Sequence, residues 1–152
     1  MLNINSKPLA GIVVVELGHS VAAPFAGQIL CDLGATVIKV EKPEGDDARK
    51  WGPPFVDGAA AAFQAINKGK KSVTCHLRSP DDAESLRQLV ISRADVVIQN
   101  LRPSQLEKLG LGSAALMGAK PSLIFCNMGA FGATGPLAQR PGYAPLMQAF
   151  GG

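Results

Sequence analysis

Two short apolar runs rich in β-branched residues, Ile12 to Val15 and Val37 to Val40, flank a stretch with room for one helix, Pro24 to Leu33. Such runs lack polar alternation and suit strands covered on both faces, as in a parallel sheet. Gly34 is a natural stop for the helix, because glycine takes the left-handed backbone of a helix end without a Cβ penalty. Strand, crossover helix and strand form a βαβ unit, which is right-handed in nearly all proteins. Ligands of such sheets bind beyond the carboxyl ends of the strands. There the chain puts Gly18-His19-Ser20 after the first run and Glu41-Lys42-Pro43 after the second.

The alternation continues downstream. Residues 44–56, EGDDARKWGPPFV, read as a long surface loop over the sheet edge, and Ala59 to Ile66 as a short helix. Lys71 to Leu77 alternates like a strand. Ser79 caps the next helix with Pro80 in its first turn, and Leu86, Leu89 and Val90 lie on one face. Ala94 to Ile98 reads as a buried strand, Pro103 opens a short helix ending near Gly110, and Leu123 to Asn127 is a further strand. A last helix starts near Ala144. Strands alternating with helices predict an α/β fold with a mostly parallel sheet and helices on both faces.

Composition narrows the function classes. A hydrophobic share of 47% over 152 residues supports one real core. The net charge of +3 allows an anionic small ligand. Without a dense Lys/Arg tract interleaved with aromatics it argues against nucleic acid. No apolar run approaches the ~18 residues that span a membrane, and MLNINSKPL lacks the plan of a signal peptide. The expectation is a soluble, cytoplasmic protein. Cys31, Cys75 and Cys126 are odd in number and far apart, which reads as free buried thiols.

Neither GxGxxG nor GxxxxGK[ST] occurs, so a dinucleotide or P-loop reading lacks its phosphate cradle. His19 and His76 cannot form a metal cluster with the cysteines at any usual spacing, so no metal is expected. His19, at the end of a strand, is a candidate for a ligand site; His76 reads as structural. Lys39, Lys42, Lys68, Lys70, Lys71, Arg78, Arg102 and Lys108 each read singly as a solvated surface charge. Together they gather near strand ends, where a ligand with several phosphates would find donors. Gly129 to Gly135 either lets a ligand approach the backbone or forms a tight turn. Read from its residues alone, the chain is an α/β domain with an anionic-ligand site.

The order of motifs is more specific. PLAGIVVVELGHSVAAPFAGQILCDLGATVIKVEKPEGDDARKWGPPF, NKGKKSVTCHLRSPDD, ADVVIQNLRPSQLEKLGLG and PSLIFCNMGAFGATGPLAQRPGYAPLMQAFGG together resemble the family III CoA-transferases, the CaiB/BaiF family, from about Pro8 to Gly152. The resemblance implies a Rossmann-like large domain. Residues 1–152 would supply its N-terminal portion, with linker, small domain and C-terminal part lying outside, and full-length chains would interlock as a homodimer. It implies transfer of CoA between an acyl-CoA and a carboxylic acid through an aspartyl mixed anhydride, which is covalent catalysis by a carboxylate. The nucleophilic aspartate is expected after Gly152, so these residues alone are expected to be inactive.

Carried over residue by residue, the motifs put His19, Ser20 and Val21 in the substrate pocket. Lys42, Cys75, Arg78, Asn100, Leu101, Arg102 and Lys108 fall on coenzyme A. Some members have Gln at the place of Val21, which speaks against a formyl- or oxalyl-type substrate here. A racemase branch uses a His that would fall near Tyr143, and a tyrosine is no base near neutral pH without a large pKa depression. Transfer is therefore preferred to racemisation. A non-catalytic CoA-binding remnant is the reading from outside the enzyme class.

Overall fold

β1 (Val13–Leu17) lies in the middle of a five-stranded sheet because four of its five residues are apolar and it is covered on both faces. The structure, a computed structural model, describes residues 7–138 and 140–152. The absence of a signal-peptide plan was read partly from residues 1–6, which lie outside the described residues.

The remaining elements, in chain order, are α1 (Ala22–Asp32), β2 (Thr36–Glu41), a 3₁₀ turn (Asp47–Lys50), β3 (Phe55–Val56), β4 (Ala59–Ala60) and α2 (Ala61–Ala65). Then come β5 (Lys71–Thr74), α3 (Pro80–Arg93), β6 (Val96–Gln99), α4 (Pro103–Glu107), α5 (Ser113–Ala119), β7 (Ile124–Asn127) and α6 (Ala144–Gly151). The sheet order is β5-β2-β1-β6-β7, and every pairing in it is parallel. The chain first builds outward from β1 through β2 to β5, then returns to the other side of β1 for β6 and β7. That reversal is the switch point at which open α/β sheets hold ligands.

Strand alternation divides the core in two. Val15 and Leu17 of β1 join Val97, Leu86, Val90, Leu106, Leu111 and Leu116 under α3, α4 and α5. Val14 joins Val37, Ile98 and Ala23 under α1. Each fully buried Val or Leu contributes roughly 1.5–3 kcal/mol. α3 starts as its sequence indicates: the Ser79 hydroxyl accepts from the Asp82 amide and Pro80 occupies the first turn.

Several expectations are corrected. Residues 44–56 are not all surface loop: Asp46 caps the 3₁₀ turn, Asp46 and Ala48 are buried, and Phe55–Val56 pairs with β4 in a small antiparallel ribbon. The helix expected from Ala59 begins two residues later, after β4. The strand expected to reach Leu77 ends at Thr74. α5 is an additional helix with one buried residue, Leu116, too short for a periodic signal. Cys75 alone of the cysteines is buried; Cys31 is half-buried and Cys126 lies exposed on the edge strand β7. Among the described residues no helix is long and apolar enough to cross a membrane.

Candidate functional site

A cavity of about 470 Å³ opens at the carboxyl ends of β1, β2 and β5, beside the turn that follows β6. β1 contributes Leu17 and the following Gly18-His19; β2 contributes Val40 and Glu41, then Lys42 to Asp47. The segment after β5 contributes Cys75 to Arg78, and the β6–α4 turn contributes Leu101. Five residues singled out from the sequence thus share one cavity: His19, Lys42, Cys75, Arg78 and Leu101. Ser20, Val21, Asn100, Arg102 and Lys108 do not line it. His76, read as structural, is exposed and forms part of the wall.

The loop after β1 is held at each residue. The Lys39 ammonium donates to the Gly18 carbonyl at 3.0 Å. Asn100 takes the His19 amide on its Oδ1 at 3.0 Å and donates its Nδ2 to the His19 carbonyl at 2.8 Å. The Ser20 amide donates to Asp46 Oδ1 at 3.1 Å. Ser20 has a φ of 66°, a left-handed backbone that is uncommon for a residue with a side chain and costs of order 1–3 kcal/mol. Its hydroxyl lies 2.8 Å from His19 Nδ1, which fixes the ring. Gly18 is required by close packing, since a Cβ there would sit 2.3 Å from that of Ala23.

Beneath the loop lies a buried ionic quartet that the sequence reading missed. Lys39 and Lys70, taken as surface charges, have side chains only 1% and 2% exposed. Glu16 bridges them, with Oε1 3.1 Å from Lys39 Nζ and Oε2 2.7 Å from Lys70 Nζ, and Asp46 Oδ2 lies 2.9 Å from Lys39 Nζ. Two ammoniums face two carboxylates, so the cluster is neutral. Lys70 also donates to the Pro24 carbonyl and to Asn67 Oδ1. The signal was present: Glu16 and Lys39 each interrupt an apolar strand, and the β1–β2 register places them opposite one another.

The cavity's other charges are mostly engaged. Glu41 receives both nitrogens of the Arg49 fork at 2.7 Å, the Ser72 hydroxyl at 2.6 Å and the Asp46 amide at 2.9 Å. Burial pushes its carboxyl up, but these donors outweigh burial and hold it down at about 2. Lys42 donates to Asp47 at 2.7 Å, an exposed pair in which the Lys42 ammonium is raised and the Asp47 carboxyl lowered. Burial and the nearby Asp82 carboxylate raise the Cys75 thiol, so it stays protonated near neutral pH. Among the described residues Arg78 has no ion-pair partner. The site can therefore offer Arg78, Lys42 and two imidazoles to an anion, against apolar walls from Leu17, Val40, Leu77 and Leu101.

The depressed Glu41 makes an acid prediction. Its folded value lies below its unfolded one, so its stabilisation is complete above about pH 4.5 and is lost as pH falls toward 2. The loss is expected to be about 2 kcal/mol, discounted because Arg49 is partly solvated. Urea melts at pH 6 and pH 3 should show it, and Glu41→Gln should flatten the difference. An unchanged pH slope in Glu41→Gln would remove Glu41 as the cause.

The sequence profile of CoA-transferase family III matches residues 9–152. The succinate–glutarate CoA-transferase of Agrobacterium fabrum is 47% identical over 152 residues, covering 95% of this chain and 38% of that protein. The succinyl-CoA:glutarate CoA-transferase of Homo sapiens is 39% identical over 149 residues, covering 97% of this chain and 34% of that one. The crystal structure of a CaiB/BaiF family protein from Brucella suis matches with a TM-score of 0.91 at 50% identity, over 96% of this chain and 39% of that chain. The chain therefore spans little more than a third of the length of these relatives.

Proposed function

Because the chain belongs to CoA-transferase family III, we propose that the cavity at the ends of β1, β2 and β5 receives the CoA portion of an acyl-CoA. In the whole protein, CoA would pass from that donor to a carboxylic acid. The observation that carries this reading is the convergence of His19, Lys42, Cys75, Arg78 and Leu101 on one cavity. These residues come from separate parts of the chain, and the family resemblance had assigned them all to the substrate or to CoA.

The chemistry of the lining fits a CoA ester. Arg78 and Lys42 suit phosphates, Arg78 through its planar fork and Lys42 as a point charge that exchanges Asp47 for the ligand. The apolar walls suit the pantetheine chain. His19, with its ring fixed by Ser20, orients and polarises groups near the thioester. The attacking carboxylate belongs to an aspartate outside these residues. Its oxygen adds to the thioester carbonyl carbon, the C–S bond breaks, and the CoA thiolate leaves a mixed anhydride behind. A homodimer of the whole protein belongs to the same proposal. Tyr143, where the racemase histidine would fall, is 66% exposed and outside the cavity lining, which favours transfer over racemisation. Succinyl-CoA, the donor in the human relative's name, is the first donor to assay.

Calorimetry with CoA tests the placement. Binding is expected to weaken with added salt, and Lys42→Ala and Arg78→Ala are each expected to cost roughly 1–3 kcal/mol, the scale of a charge-assisted hydrogen bond. Wild-type affinity in both variants would withdraw the placement.

A further inference from the structure

We infer that Asp46 is a positioning residue for the His19 loop: its buried carboxylate, backed by Lys39, holds the strained Ser20 backbone and so fixes where the His19 imidazole faces the cavity. Only the consequence for CoA rests on the proposed function; the positioning itself is a property of this fold.

Asp46 is 4% exposed and lies far from the loop in sequence. Its Oδ1 accepts two amides, Ser20 at 3.1 Å and Ala48 at 2.9 Å. Its Oδ2 faces the Lys39 ammonium at 2.9 Å, and the same ammonium donates to the Gly18 carbonyl. The residues before and after His19 are thus tied to one ion pair. Capping the 3₁₀ turn needs only the Ala48 contact, so the Ser20 and Lys39 contacts are surplus to local structure.

The Ser20 contact explains the backbone. A serine at φ 66° relaxes to negative φ unless its neighbours hold it. A charge-assisted acceptor on its amide, with Asn100 clamping the preceding peptide, supplies that hold. In this conformation of the loop the Ser20 hydroxyl lies 2.8 Å from His19 Nδ1, which ties the imidazole direction to the backbone. Glu16 completes the arrangement by keeping Lys39 paired on its other side.

The experiment compares Asp46→Asn and Asp46→Ala with the wild-type chain by NMR. It reads Ser20 amide exchange, the two imidazole cross-peaks and CoA affinity. The chain has two histidines, so His76 is an internal control. Asparagine keeps an oxygen acceptor for the Ser20 amide but loses the ion pair; alanine loses both. Ser20 protection is expected to fall several-fold in Asp46→Asn and more than tenfold in Asp46→Ala. The His19 cross-peak should shift in the same order, while His76 and the α3 amides of Leu86 and Val90 stay at their wild-type values. Should Asp46→Ala not fold, the isosteric Asp46→Asn decides by itself. Wild-type Ser20 protection and an unmoved His19 peak in a folded variant overturn the inference. So does a fall at Ser20 matched by equal falls at Leu86 and Val90, since that is global destabilisation. CoA affinity is expected to fall with Ser20 protection. A graded loss of protection in a chain that never binds CoA would uphold the positioning and sink the proposed function instead.

Discussion

Glu16→Gln is expected to destabilise the chain by about 3–5 kcal/mol, a large part of the 5–15 kcal/mol that holds a typical domain together. The substitution keeps shape and removes one charge. Asp46 then still pairs with Lys39, but Lys70, whose side chain is 2% exposed, is left with no carboxylate partner. A buried charge without its partner costs more than the pair contributed, because the other ion stays desolvated. Lys70 has the easier escape. Burial already lowers its pKa, and losing Glu16 lowers it further. A lysine whose folded value is depressed holds fewer protons folded than unfolded, so the stability it costs returns as pH rises toward its unfolded value of about 10.4. The deficit of Glu16→Gln should therefore shrink between neutral pH and about pH 10. Lys70→Met added to Glu16→Gln should recover part of it, since one carboxylate then faces one ammonium. Urea midpoints of the single and double variants at pH 7 and pH 9.5 measure this. A neutral-pH loss below about 1 kcal/mol, or a loss indifferent to pH, would mean that the quartet is not held as described.

The quartet also marks where sequence reading reached its limit. The runs around β1 and β2 were legible because β-branched residues without alternation have few uses other than a covered strand. Ser79-Pro80 was legible because capping is local: donor and acceptor sit three residues apart. Lys39 was misread because its partners, Glu16 and Asp46, are brought by sheet register and by a loop, which a window along the chain does not see. The same holds for residues 44–56. Their polar, Pro/Gly-rich character suggested solvent, yet Asp46 is buried, accepting the Ser20 amide and facing Lys39 across the fold. Gly27 completes the pattern. A Cβ there would come within 2.0 Å of Glu16 Oε2, so a glycine inside α1 makes room for a carboxylate on β1. The strand-end rule pointed to the edge of the sheet where the cavity opens, but five named residues in one cavity came from family resemblance added to that rule. Asn100 shows the difference in kind. The resemblance put it on CoA; the clamp it makes on the peptide of His19 is a separate contact, which depends on β6 lying beside β1.

Incubated with an acyl-CoA, the 152-residue chain is expected to form no covalent adduct through a carboxylate or thiol, because each such group at the cavity is unsuited to attack. Glu41 is locked by Arg49 and Ser72. Asp46 is buried against Lys39, and Asp47 is exposed, so once Lys42 turns to the ligand it is a hydrated carboxylate with no fixed partner. Glu44 is exposed, and a hydrated carboxylate with nothing to orient it gains none of the advantage of a positioned reactant. Cys75 is the strongest nucleophile by chemistry, but burial and Asp82 keep its thiol protonated, and its Sγ points at the Asp82 carbonyl at 3.7 Å. Under the proposed function, the attacking group is the aspartate that the family resemblance puts outside these residues. Intact-mass spectrometry after hours with acyl-CoA checks the first half: the mass should be unchanged. A protein carrying the further length of the relatives checks the second, because trapping should then add the acyl or CoA mass at a single aspartate. Replacing that aspartate by alanine should abolish transfer. His19→Ala should slow it while CoA still binds, since the imidazole orients groups and forms no bond to the acyl carbon. An adduct mapped to Glu41, Glu44, Asp46, Asp47 or Cys75 in the 152-residue chain would sink this division of labour, for it would show that the cavity carries its own nucleophile.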